Sequence, residues 1–106
     1  MSDEEDLIIE ILVWEDDREA HVARHGVTID EVLDVMTSTY AYATGKYGRP
    51  LLIGKTGQGR FLTIVIAKRD QARTYGLVTT RPSRDKEKKL FEDLMRQQGG
   101  EDNDHD

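Results

Sequence analysis

The stretch from Leu51 to Thr80 constrains this chain more than any other part of it. It opens with a short apolar run, Leu51 to Lys55, and a turn tetrad, Thr56-Gly57-Gln58-Gly59. Arg60 to Lys68 (RFLTIVIAK) follows, and after Asp70 and Gln71 comes a further run, Arg73 to Thr80. β-Branched and aromatic side chains suit a pleated surface, and a glycine-bearing tetrad between two such runs makes a hairpin. An antiparallel meander is therefore expected at the centre of the fold.

The flanking segments add helices. Leu7 to Trp14 (LIIEILVW) reads as a buried strand. Glu15, Asp16 and Asp17 suit a helix N-terminus, and Arg24 and His25 precede Gly26 as a C′ residue. Thr28-Ile29-Asp30-Glu31 is a capping box, after which Ile29, Val32, Leu33 and Met36 share one helical face. Thr37 to Thr44 is open between a loop and a weak strand. Pro82 stops the last strand, Ser83 is placed to cap, and Arg84 to Gln97 forms a helix with Leu90, Phe91, Leu94 and Met95 inward. Gly99 and Gly100 are expected to end it. The expected order is β-α-α-β-β-β-α, a single small α+β domain with an antiparallel sheet.

Charge divides the chain more sharply than its net value of −6 shows. Residues 1–6 hold four acids and no base, as do residues 101–106. Residues 45–100 carry thirteen Lys and Arg against five Asp and Glu. A domain over residues 7–98 is thus expected between an acidic N-terminal tail (1–6) and a disordered acidic C-terminal tail (99–106). The basic half permits a polyanionic partner that the net charge would discourage. Without cysteine there is no disulfide, thiolate nucleophile or Cys-ligated zinc. The acidic N-terminus and the short apolar runs point to a cytoplasmic protein with no membrane partner.

Familiar ligand motifs fail. Gly54-Lys55-Thr56 resembles the end of a phosphate-binding loop, but Arg49 stands where its first glycine belongs. Gly57-Gln58-Gly59 lacks a third glycine and a following helix. His21 and His25 are four apart but have no obvious third ligand, so neither metal nor cofactor is expected. What remains are bases at element ends: Arg24, His25, Arg60, Lys68, Arg69 and Arg81, with Tyr75 in the last strand. Cleaving RNA without a metal requires a proton acceptor for the 2′-hydroxyl, a cation for the phosphorane and a proton donor for the leaving oxygen. These residue types supply all three. The same residues also serve as helix caps and solvated strand ends, and composition does not separate the two roles.

In order and spacing, a set of motifs resembles the BrnT-type toxins. It comprises Trp14, Arg24-His25-Gly26-Val27, Ile29-Asp30-Glu31-Val32, Ile53-Gly54-Lys55-Thr56, Gly59-Arg60-Phe61-Leu62, Val78-Thr79-Thr80-Arg81 and a charged helix with Glu87 and Phe91. The resemblance spans residues 8–95. It implies a RelE-like fold and a metal-independent endoribonuclease that blocks translation. It also implies a BrnA-type ribbon-helix-helix antitoxin, which supplies any DNA contact. By this resemblance Arg24, His25, Arg60 and Arg81 fall on motif positions, and Glu87 matches an acid that orients Arg81 or acts as base. Lys55, Lys68, Arg69, Tyr75 and Arg84 are the candidate RNA contacts. Arg18, His21 and Arg24 stand where the family more usually has lysine, asparagine and lysine, and Pro82 replaces a small residue. Arginine keeps charge but does not exchange protons, so a lysine base at position 24 is excluded. His21 is the candidate to replace it. A module that kept the fold and binds protein or RNA without cleaving is the alternative.

Overall fold

The computed structural model describes residues 8–104, with side chains for residues 8–97, as three α-helices and a five-stranded mixed sheet. In chain order these are β1 (Ile11–Val13), α1 (Asp16–Ala23), α2 (Ile29–Met36), β2 (Tyr40–Thr44), β3 (Pro50–Lys55), β4 (Phe61–Lys68), β5 (Thr74–Pro82) and α3 (Asp85–Asp104). The acidic segment 1–6 and the last two residues lie outside the described part.

Local chemistry sets the first two helices. The Glu31 N–H donates to Thr28 Oγ1 at 3.1 Å, and Glu31 Oε1 accepts the Thr28 N–H at 3.0 Å, completing the capping box. Gly26, at φ +74°, ends α1: its N–H reaches the Ala23 carbonyl, and the Val27 N–H reaches that of Val22. Both bonds are those of a Schellman cap, and Val22 and Val27 enter the core together.

The sheet order is β1-β5-β4-β3-β2. β2 through β5 form the expected antiparallel meander, and within Thr37–Thr44 the segment Tyr40–Thr44 is a true strand paired with β3. The wholly antiparallel expectation is corrected at one edge, where β1 runs parallel to β5. β1 takes the side of β5 that β4 leaves open. It spans only Ile11–Val13 of the expected Leu7–Trp14, of which Leu7 lies outside the described residues; Ile11 on this edge strand and Ile8 ahead of it are about half exposed (50% and 51%).

The two sheet faces are covered differently. Leu52, Leu62, Ile64, Ile66 and Leu77 form a core with Val22, Val27, Val32 and Val35, beneath α1 and α2. Gly54 permits the close approach of α2, since a Cβ there would strike the Val35 side chain. On the other face Ala41 and Ile53 pack against Phe91 of α3, with Phe61, Leu90, Leu94 and Met95 around them. α3 continues through Gly99 and Gly100 to Asp104, beyond the stop expected at Gln97. Glycine inside a helix costs about 1 kcal/mol relative to alanine, which weakens a helix without terminating it.

Candidate functional site

Arg81 and Glu87 form the shortest and least exposed ion pair among the described residues. Both guanidinium Nη atoms donate to the carboxylate, Nη1 to Oε1 and Nη2 to Oε2, each at 2.7 Å. The Thr63 hydroxyl donates to Oε1 at 2.9 Å, and the Arg84 N–H donates to the same oxygen at 2.8 Å. With the Thr63 proton so committed, Ser83 Oγ donates to Thr63 at 2.8 Å and does not cap α3 as its position predicts. Burial disfavours the charged carboxylate, but the bonds from Arg81, Arg84 and Thr63 outweigh it and bring Glu87 down to about 2. A carboxylate that weakly basic holds Arg81 in place and is a poor proton acceptor at neutral pH.

Arg60 belongs to a separate cluster on the α1–α2 side. Its Nη1 donates to the Gly26 carbonyl at 2.7 Å and to Glu31 Oε1 and Oε2 at 3.1 and 3.0 Å. The Thr28 N–H, then Arg60, lower Glu31 below the ordinary carboxylate range against the opposing effect of burial. Arg60 is thereby tied to the residue that follows His25. His21 and His25 meet edge-on, with ring centroids 5.7 Å apart. Burial, followed by the charges of Arg18, His25 and Arg24, lowers His21 and favours its neutral imidazole. Arg24 is the exposed C-cap of α1.

The five catalytic candidates therefore fall into two groups. Arg24, His25 and Arg60 lie at the α1–α2 corner, whereas Arg81 and Glu87 lie on the α3 face. Of the candidate RNA contacts, Arg84 lines a cavity on the α3 face. Lys55 stacks its ammonium 5.4 Å from the Phe61 ring centroid. Lys68 is exposed at the far end of β4. Arg69 pairs with Glu15 at 3.4 Å and lies over Gly76. Tyr75 is half-buried and packs against the α1/α2-side core.

The cavity on the α3 face encloses about 590 Å³. Leu51, Val65 and Val78 contribute its floor, and Lys46, Arg49, Arg84 and Lys86 its rim, with the Arg81–Glu87 pair at one side. The rim residues before Pro50 were not among the sequence candidates. Their signal was the alternation of bases, glycines and an aromatic in Gly45-Lys46-Tyr47-Gly48-Arg49. Glu31, Thr63 and Ser83 were read only as helix caps or strand residues, because their partners are distant in sequence.

Among the described residues there is no cluster of three or more His, Asp or Glu arranged to hold a metal, and no helix long and apolar enough to cross a membrane. No known family model matches the chain, and no curated protein or solved structure matches it either.

Proposed function

We propose that this chain is a small metal-independent endoribonuclease of the BrnT toxin type, with a RelE-like fold, acting in the cytoplasm. The observation that carries the reading is the α1–α2 corner, where Arg60 bonds the Gly26 carbonyl, one residue after His25, whose ring meets that of His21. In this mechanism a neutral His21 accepts the proton of an RNA 2′-hydroxyl as its oxygen bonds to phosphorus. Arg60 and Arg24 balance the charge of the phosphorane, and His25 gives a proton to the departing 5′-oxygen as the P–O5′ bond breaks. The products are a 2′,3′-cyclic phosphate and a 5′-hydroxyl. Imidazole suits both roles because its proton equilibrium lies nearest neutrality. The partner under this reading is a BrnA-type ribbon-helix-helix antitoxin.

Pure protein incubated with single-stranded RNA in EDTA is expected to yield cyclic-phosphate ends, and its expression to arrest growth. His25→Ala should slow cleavage by about 10²–10⁴-fold, the usual contribution of a positioned acid or base. RNA that stays intact under these conditions overturns the proposal. That outcome would favour the second reading, a binding module without catalysis. The observation for it is the α3-face cavity, whose lining carboxylate is held ionised by Arg81.

A further inference from the structure

The connection between β2 and β3 carries an unusual residue. The Arg49 N–H donates to the Lys46 carbonyl at 3.1 Å, closing a tight turn whose central residues, Tyr47 and Gly48, both have positive φ (+60° and +71°). Asn, Asp and Gly favour these positions, and an aromatic residue held there is under backbone strain. Tyr47 is nonetheless 88% exposed, so no core packing offsets that strain. The Arg49 guanidinium lies 5.5 Å from the centroid of its ring. Strain that packing does not explain is characteristic of functional positions.

The turn stands at the mouth of the cavity on the α3 face. Lys46, Arg49, Arg84 and Lys86 surround it, and none forms an ion pair among the described residues. Among the described residues that line it, the one carboxylate, Glu87, is paired with Arg81. The site therefore combines uncompensated positive charge with an apolar floor and an exposed, flat, electron-rich ring. Its volume of about 590 Å³ falls within the range of small-molecule and nucleotide pockets. An acidic peptide would satisfy the charge but gives no role to the ring. A nucleotide strand satisfies both, since every base presents a face for stacking and every linkage an anion.

We propose that the cavity on the α3 face is a binding site for single-stranded RNA, in which Tyr47, backed by Arg49, stacks a base while Lys46, Arg84 and Lys86 hold the flanking phosphates. The site lies on the opposite side of the sheet from the His21–His25–Arg60 corner. It rests on the ribonuclease reading only for the choice of RNA over DNA, and it does not require cleavage.

The test uses the full chain and a short fluorescent 2′-O-methyl oligonucleotide, which cannot be cut by 2′-hydroxyl attack. Binding is followed by anisotropy. Tyr47→Ala is expected to weaken binding about tenfold or more, as loss of a base–aromatic stack does. Tyr47→Phe should bind like the parent. Tyr47→Gly, which relieves the positive φ and so keeps the fold, should lose as much as Tyr47→Ala. An abasic strand of equal length should bind the parent chain as weakly as the complete strand binds Tyr47→Ala. Parental affinity in Tyr47→Ala, or equal affinity for the abasic strand, overturns the proposal. So does a polyglutamate peptide that binds as tightly as the oligonucleotide, which would assign the cavity to an acidic protein segment. Tyr47-dependent binding without cleavage of natural RNA sinks the ribonuclease reading alone. Cleavage with binding indifferent to Tyr47 sinks this one alone.

Discussion

Two arginine–glutamate pairs, Arg81–Glu87 and Arg60–Glu31, show how differently the same chemistry is used in one small domain. Arg81 meets Glu87 through two parallel bonds, with side-chain exposures of 21% and 13%. Glu87 accepts two further bonds there, from Thr63 and the start of α3. Arg60 meets Glu31 through a single Nη1 that it also shares with the Gly26 carbonyl, and the exposures rise to 36% and 29%. The first pair ties β4, β5 and α3 together and leaves its arginine little freedom. The second pins one edge of a guanidinium, and its Nη2 makes no hydrogen bond among the described residues. Enclosure thus separates a fully engaged ion pair from one whose arginine is only partly engaged among the described residues.

The contrast breaks most readily at Glu87. Glu87→Ala strands the Arg81 charge, the Thr63 hydroxyl and the Arg84 N–H together, and should destabilise the fold by about 3 kcal/mol. Urea unfolding measures this, and a loss below about 1 kcal/mol would place the pair among ordinary surface salt bridges. Acid provides the next test. Glu87 falls from 4.5 to about 2 on folding, so its stabilisation is complete above pH 4.5 and disappears as pH drops toward 2. The amount is roughly 3 kcal/mol, and Glu87→Gln should remove this acid-dependent loss from a series of urea midpoints taken across that window. The smallest effect belongs to Glu31→Ala, which loses half a capping box and a half-exposed pair, about 1 kcal/mol in all. If it proves as damaging as Glu87→Ala, enclosure is not what distinguishes the pairs.

Much of the architecture was legible because its causes are local. The Thr28–Glu31 box, the Gly26 cap and the Thr56–Gly59 turn involve groups within a few residues of one another, and each formed as read. The candidate site was less legible. Arg60 and Arg81 were singled out as bases at strand ends, but the residues that define their roles, Glu31 and Thr63, lie far off along the chain. Tyr75 shows the same limit: an aromatic on a strand serves core or ligand according to the face it takes, and its partly buried ring packs on the core beneath α1 and α2.

One register shift illustrates where sequence ends. By simple alternation Leu77, Thr79 and Arg81 would share a face of β5. The ladder with β4 slips between Val65 and Ile66, so Leu77 pairs with Ile66 while Thr79 pairs with Val65. Leu77 then enters the core beneath α1 and α2, and Thr79 and Arg81 line the opposite cavity. The Val78 carbonyl at the irregularity accepts from Arg18 Nη1 of α1 at 2.8 Å. Sequence alone determined most of the strands and helices and the Thr28–Glu31, Gly26 and Thr56–Gly59 caps and turns, because period and capping are short-range physics. Only the tertiary structure decided which side of the sheet Arg81 faces, because a bulge exchanges faces through contacts between strands.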